Sequence, residues 1–236
     1  KTLTGKVYNV RKTQGISLRM LCPDNIHPHA IDLGLPSGTK WACCNVGANA
    51  PDQYGSYFAW GEIEPKEEYN MYTYKFYDTT YKIYTKYCTN STYGTIDNKT
   101  ELEPEDDAAT VNWGSDWQIP SKEQLEELIN TEYTTTSWTT LNGVNVRMIV
   151  SKSNGNRIFL PAAGTQGTSN SPSESYGVGG LGFYWSRSLV LNYNRCAPHL
   201  LISENGESIK QVYNGTSSRA ERCLGHSIRP VRVQTQ

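Results

Sequence analysis

The chain has 236 residues, of which 37% are hydrophobic and 19% charged, with 16 tyrosines and a net charge of −1. This length allows one large domain with a full core, or one domain with an appendage. The near-neutral charge argues against nucleic acid as a partner. No stretch reaches the roughly 18 apolar residues of a membrane-spanning helix, which argues against membrane insertion. The excess of Tyr, Thr, Ser, Asn and Gly is typical of loop-rich extracellular domains that bind through polar contacts.

The first 30 residues differ from the rest of the chain. Residues 5–10 and 15–21 alternate between apolar and polar side chains and predict two strands, and residues 22–29 form a linker rich in Pro, His and Asn. These strands belong either to an N-terminal hairpin of the main domain or to the end of a preceding domain. We therefore divide the chain into residues 1–30 and a domain of residues 31–236.

An acidic helix start is predicted after Glu103. Pro104 suits the first helical position, and Glu105, Asp106 and Asp107 follow in the first turn, where carboxylates favour the positive end of a helix. The same three carboxylates are the candidate ligands for Ca²⁺, which prefers several oxygen atoms. We prefer the interpretation as a helix start, without a metal, and keep calcium as the alternative.

A second helix is predicted over residues 122–130. Ser121 is its N-cap, and Gln124 completes a capping box three residues later. Leu125 and Leu128 belong to the apolar stripe that faces the core. This pattern indicates a short amphipathic helix.

Strands joined by long loops account for most of the remaining chain. The later predicted strands cover residues 144–150, 157–160, 182–186, 197–203, 208–213 and 227–233. Asn154-Gly155 and Asn205-Gly206 are strong hairpin turns. Two helices followed by hairpins predict an α+β fold. Residues 69–98 are rich in Tyr, Thr, Lys and Asn, and we interpret them as a long loop or insertion rather than as core.

The sequence offers little sign of a cofactor other than the calcium alternative. The six cysteines are irregularly spaced without a CxxC pair, which argues against a zinc or redox site. A disulfide such as Cys196–Cys223 and isolated buried thiols both remain open. The glycine run at residues 177–182 matches a dinucleotide-binding pattern, but a polar segment precedes it and a strand follows it, so we interpret it as a loop.

Six segments rich in Trp, Gly and Pro follow one another in a recognisable order. They cover residues 32–42, 57–62, 102–109 with 113–120, 158–164, 184–186 and 222–231. In this order they resemble the Fibrobacter-type major paralogous domain of exported Bacteroidetes proteins, which belongs to the C-type-lectin-like fold. The resemblance covers residues 31–233 and implies twisted antiparallel sheet, two flanking helices and long loops that display ligand contacts. It also implies export to the cell surface or the periplasm, or secretion.

The resemblance also implies where a ligand would bind. Similar folds occur in formylglycine-generating enzymes, in adhesins and in the variable proteins of diversity-generating retroelements. In the last group, binding positions lie between an aromatic strand and the closing Arg-Pro-Val strand, which corresponds here to residues 187–226. The side chains in this stretch that suit a polar ligand are Asn192, Tyr193, Asn194, Arg195, His199, Tyr213, Asn214 and His226.

The predicted function is non-catalytic recognition or adhesion by an exported domain. Its partner would be a glycan or a host or bacterial surface protein, and we expect no enzymatic activity. One alternative is an enzyme of the formylglycine-generating type or a decayed relative. That family needs two neighbouring cysteines, whereas Cys196 and Cys223 lie 27 positions apart. The other alternative is a structural module of a surface or pilus assembly.

Overall fold

The computed structural model describes residues 28–167, 171, 173–211 and 220–233. Within these residues the chain forms small antiparallel sheets and two α-helices, which is compatible with the predicted α+β class. The predicted strands at residues 5–10 and 15–21 lie outside the described residues. The strands are β1 (Ala30–Asp32), β2 (Lys40–Ala42), β3 (Tyr77–Asp78), β4 (Ile83–Tyr84), β5 (Trp117–Gln118), β6 (Thr134–Leu141), β7 (Val144–Ser151), β8 (Arg157–Pro161), β9 (Thr165–Gln166), β10 (Ser175–Tyr176), β11 (Leu181–Trp185), β12 (His199–Ser203), β13 (Gly206–Lys210) and β14 (Val231–Arg232).

Three sheets carry most of the ordered backbone. Their strand orders are β1-β2-β14-β5, β6-β7-β8 and β11-β12-β13, and β3-β4 and β9-β10 form two further short pairs. All of these pairings are antiparallel. In the first sheet, Val231 of β14 pairs with Trp41 of β2 and with Gln118 of β5. Strands from distant parts of the sequence therefore meet in one sheet.

The capping box predicted for the second helix is present. Helix α2 (Lys122–Leu128) begins after Ser121, whose side chain accepts a hydrogen bond from the Gln124 backbone amide. The Gln124 side chain accepts one in return from the Ser121 amide, at 2.9 Å. The helix buries Leu125 and ends at Leu128 rather than at residue 130. Its start was predictable because the capping interactions are local in sequence.

The predicted acidic helix is divided into two pieces. Pro104–Asp106 form one turn of 3-10 helix, and helix α1 (Ala108–Trp113) begins after Asp107. The Asp107 carboxylate accepts hydrogen bonds from the backbone amides of Ala109 and Thr110, so that this residue is an N-cap and starts a new helix. No helix in the described part of the chain has the length and apolar character to cross a membrane.

The hairpin of β6 and β7 contains a strand that the sequence analysis missed. Each of the eight residues of β6 has one partner on β7, and Asn142-Gly143 connect the two strands. Both turn residues have positive φ, 50° and 84°, as a tight two-residue hairpin turn requires. Residues 134–141 have few apolar side chains, so a search for hydrophobic alternation overlooks them, although their Thr content favours a strand.

The other hairpins were located correctly but with different limits. Gly155 has φ of 75° in the turn between β7 and β8, as predicted. Between β12 and β13 the turn is Glu204-Asn205, because Gly206 already pairs with Ser203. The predicted strand at residues 227–233 shortens to β14. Residues 177–180 of the glycine run form a turn, as we interpreted it, and residues 181 and 182 already belong to β11.

Two large aromatic and aliphatic clusters and a small cluster of Cys43, Cys44 and Ala48 form the core, and the first contradicts one prediction. Residues 69–98 are not an insertion outside the core, because Tyr69, Tyr74, Tyr84 and Tyr87 are all buried in this cluster. Trp60, Trp117 and Trp185 are also buried, while Trp113 is partly buried. The second cluster lies between α2 and the sheets that contain β2, β8 and β12. The tyrosine-rich segment therefore packs as part of the domain.

Candidate functional site

A groove lies between two loops that are far apart in sequence, residues 89–100 and residues 188–193. It consists of two adjoining cavities of about 510 and 660 Å³, which share Thr100, Leu191 and Asn192. These volumes fall in the range of small-molecule binding sites. We call this feature the loop groove and treat it as the candidate site.

The first cavity of the loop groove is lined without charged groups. Ile96 and Leu191 border it with side chains that are 49% and 53% exposed. The hydroxyl and amide groups around them belong to Thr89, Asn90, Ser91, Asn98, Thr100 and Asn192. Aliphatic surface next to neutral donors and acceptors suits a ligand with both apolar faces and hydroxyl or amide groups.

The second cavity contains charged residues that are largely paired. Glu101 forms an ion pair with Arg187 at 3.2 Å, and Lys122 forms one with Glu126 at 2.9 Å. The cavity extends along the start of α2 and includes the ring of Tyr193. Two of the sequence-predicted contact residues, Asn192 and Tyr193, therefore line the loop groove.

Asn194 is not the ligand contact that we predicted, because its side chain is completely buried. Its Oδ1 accepts hydrogen bonds from the backbone amides of Thr89 at 2.8 Å and Asn90 at 3.0 Å. Its Nδ2 donates to the carbonyl oxygens of Val190 at 3.1 Å and Leu191 at 2.9 Å. One buried amide therefore joins both walls of the loop groove and satisfies backbone groups that would otherwise be unpaired.

Arg222 binds the backbone next to the same two loops. Its fully buried guanidinium donates to the carbonyl oxygens of Lys86 at 3.0 Å, Tyr87 at 3.1 Å and Asn194 at 2.8 Å. It also donates to the Tyr74 hydroxyl at 2.9 Å. The aromatic rings within 6.0 Å of its central carbon are those of Trp60, Tyr74, Tyr84 and Tyr87. This buried cation therefore contacts carbonyl dipoles, a hydroxyl and ring faces.

Tyr193 and Arg195 lie at one end of the loop groove. The Tyr193 ring meets the Tyr93 ring edge to face, with centroids 5.6 Å apart. The Arg195 guanidinium lies 5.6 Å from the Tyr193 ring centroid and forms a 3.2 Å ion pair with Glu221. Arg195 therefore supports the Tyr193 ring and does not line either cavity.

His199 and His226 were also predicted as ligand contacts, and the structure corrects both because their rings are completely buried. Their centroids are 5.0 Å apart, and Trp185 lies 3.9 Å from His226 in a stacked arrangement. His226 Nδ1 is 2.8 Å from the Thr165 hydroxyl. Burial, and then the neighbouring His226, hold the pKa of His199 well below its usual range, so its ring is neutral at pH 7. The remaining predicted contacts, Tyr213 and Asn214, lie outside the described residues.

The candidate calcium ligands are engaged by protein groups. The Lys86 ammonium lies 2.6 Å from Glu103, 3.7 Å from Glu105 and 2.5 Å from Asp106. Burial raises the pKa of Asp106, but Lys75 and Lys86 reverse this effect and hold the pKa below its usual value. The Asp107 carboxylate caps α1 and also accepts a bond from the Ile119 amide. Glu103, Glu105 and Asp106 approach one another closely enough to hold an ion, but Ca²⁺ would have to replace Lys86.

Of the two alternatives left open for Cys196 and Cys223, the structure has two buried thiols rather than a disulfide. Burial raises the pKa of Cys223 to about 12, so this thiol is protonated at neutral pH. Of the described cysteines, Cys88 lies nearest the loop groove in the hydrogen-bond network, donating to the Asn90 carbonyl at 3.1 Å. None of these contacts provides a base that would activate a thiol.

Sequence reasoning missed one complete wall of the loop groove. We predicted contacts only in residues 187–226, but Thr89, Asn90, Ser91 and Ile96 come from the segment that we interpreted as an insertion. The two walls meet through contacts about a hundred positions apart, which single-sequence patterns do not reveal. The buried tyrosines are the signal that would have assigned this segment to the domain.

Comparison of the chain with family models, with curated proteins and with solved structures finds no match.

Proposed function

We propose that this chain is a non-catalytic recognition domain with a C-type-lectin-like fold, exported by its host cell and acting in adhesion. Its ligand would occupy the loop groove, and we favour a glycan over a surface protein. The observation that carries the proposal is an open groove with neutral amide and hydroxyl groups next to exposed Ile96 and Leu191. Sugars present both apolar faces and many hydroxyl groups, which match this lining.

The rigid support of the loop groove favours binding. Asn194 bonds the backbone of both walls, and Arg222 bonds the neighbouring backbone of Tyr87 and Asn194. A groove that is already formed loses less conformational entropy when a ligand binds than one that must be ordered first. Its two cavities, of about 510 and 660 Å³, have room for a few sugar rings but offer only a small area to a folded protein.

The enzymatic alternative has less support from the side chains. A formylglycine-generating type of reaction would require reactive cysteines, whereas Cys196 and Cys223 are buried and the pKa of Cys223 is raised. His199 and His226 are enclosed by aromatic rings, where a substrate has no access to them. We therefore keep binding without turnover as the proposal.

A glycan array followed by calorimetric titration of the strongest glycan tests this proposal. Replacing Asn192 or Leu191 by Ala should weaken binding about tenfold each, because each change removes a polar or an apolar contact. Tyr81→Ala is the matched control, since Tyr81 is 74% exposed and lines neither cavity. Glycan binding that survives both groove substitutions refutes the site. Binding to no glycan, but to surface proteins, refutes the ligand class, and the absence of any ligand favours the structural module.

A further inference from the structure

Strand β6 is the outer strand of the sheet β6-β7-β8. Asn145 of β7 accepts a 2.8 Å hydrogen bond from the Ala162 amide on its other side. The residue opposite Asn145 is Thr140, whose backbone N–H and C=O therefore point away from β7. Since this direction alternates along an antiparallel strand, Trp138 and Thr136 also turn their backbone groups outwards. We call these outward groups the β6 edge.

Among the described residues, strand β6 itself has none of the features that usually prevent strands from joining, and the charged group that its edge contacts is Glu207, whose carboxylate accepts a 2.8 Å bond from the Thr136 hydroxyl. All eight residues are uncharged, none is Pro or Gly, and their one-to-one register with β7 contains no bulge. Within the described part of the chain, residues 135–141 form backbone hydrogen bonds with β7 alone. Natural proteins usually protect such edges with charges, prolines, bulges or covering segments.

We propose that two copies of this chain associate through their β6 edges, antiparallel, around a two-fold axis at Trp138. The outward groups of Trp138 then face those of the partner's Trp138, and Thr136 faces the partner's Thr140. Each of these hydrogen-bonded pairs exchanges two N–H···O bonds, and the two three-stranded sheets become one continuous sheet. Ser137 lies opposite the partner's Thr139 on the more exposed face.

In this antiparallel register the side chains of β6 are complementary to those of a second β6 strand. Every cross-strand pair in this register is neutral, and the pairs bring Thr next to Thr and Trp next to Trp, which are favourable combinations in antiparallel sheet. A two-fold interface needs only this one surface on each chain. The β6 edge shares no residue with the loop groove, so this inference does not rest on ligand binding.

Charge substitutions on the exposed face test both the surface and its register. In Ser137→Lys with Thr139→Lys, two pairs of like charges face each other across the interface. In Ser137→Glu with Thr139→Lys, the same positions carry opposite charges in the antiparallel register. Neither pair of changes alters a backbone hydrogen bond to β7. Circular dichroism of both double variants should match the unchanged chain, which confirms that they fold.

Sedimentation equilibrium at protein concentrations of about 1 to 500 µM covers the dissociation constants expected of a small interface. It should show the 26.5 kDa chain doubling in mass as the concentration rises. The Lys/Lys variant should dissociate about tenfold more readily, and the Glu/Lys variant should dimerise at least as well as the unchanged chain. Hydrogen exchange at Thr136, Trp138 and Thr140 should slow as concentration rises. A monomer at all concentrations, equal association of both variants, or concentration-independent protection of these amides would overturn the proposal.

Discussion

Substitution of His199 by Phe should remove much of the acid sensitivity of this protein. The His199 ring is fully buried between Phe183, Trp185 and His226, with centroid distances of 5.6, 5.7 and 5.0 Å. Neither ring nitrogen forms a hydrogen bond of normal geometry to a described side chain or backbone group, although the Ala197 backbone favours the protonated form. Phe has a ring of similar size and cannot take up a proton.

The direction of the effect follows from the lowered pKa of His199. In the unfolded chain this histidine binds a proton with a pKa near 6.5, whereas the folded chain keeps the ring neutral to lower pH. The unfolded state therefore binds more protons below pH 6.5, and stability falls as the pH falls. Between pH 7.5 and 5.0 one such histidine removes about 2 kcal/mol from the free energy of unfolding.

Urea unfolding at several pH values between 7.5 and 5.0, followed by tryptophan fluorescence, measures this difference. Most carboxylates remain ionised in this range, so the histidines dominate the change. The parent should lose about 2 kcal/mol more than the His199→Phe variant between these limits. Ile202→Val on the same strand is the control, and it should lower stability by about 1 kcal/mol equally at every pH. Equal pH dependence in the parent and in His199→Phe would refute this reasoning.

Three further predictions concern the supports of the loop groove and the acidic cluster. Arg222→Met should lower the free energy of unfolding by about 3–5 kcal/mol, because several buried carbonyl groups lose their donor; a loss under 1 kcal/mol in urea unfolding contradicts this. Asn194→Asp should lower the free energy of unfolding by about 1–3 kcal/mol and speed hydrogen exchange in residues 188–195, since a carboxylate would face two carbonyl oxygens. Unchanged exchange would argue that Asn194 does not hold the two loops together. Calcium at about 5 mM should leave the melting temperature unchanged, because Lys86 already pairs with the carboxylates; a rise of several degrees that a chelator reverses would show that Ca²⁺ binds there.

Features stabilised by neighbouring residues were the ones that the sequence predicted best. Ser121 and Gln124 marked the start of α2 because both partners of the capping box lie within one turn. Pro104 correctly marked the beginning of a helical turn, but Asp107 then captured the next backbone amides and divided the helix. Strand β6 was not predicted because its Thr-rich sequence has no alternation of apolar and polar side chains. Local interactions therefore predicted where helical turns begin, whereas the division of one predicted helix into two depended on a single cap, Asp107.

The candidate site was predictable only in part. Asn192 and Tyr193 were predicted because they lie in the stretch that the resemblance assigns to ligand contacts, and both line the loop groove. Residue type cannot distinguish an exposed amide from a buried one, so Asn194 and His199 were assigned to the surface, although the fold encloses them. Burial is decided by segments distant in sequence, such as the one that brings Thr89 to Asn194.

The position of β14 between β2 and β5 has a consequence for how the domain reaches its native state. Trp41 pairs with Val231, so the first sheet remains incomplete until almost the whole described chain has been synthesised. Contacts with such long sequence separation require a large loop to close before they contribute stability, which slows folding. We therefore expect β6-β7-β8, whose strands follow one another directly, to nucleate early. The sheet that contains β14 should form last, in the rate-limiting step.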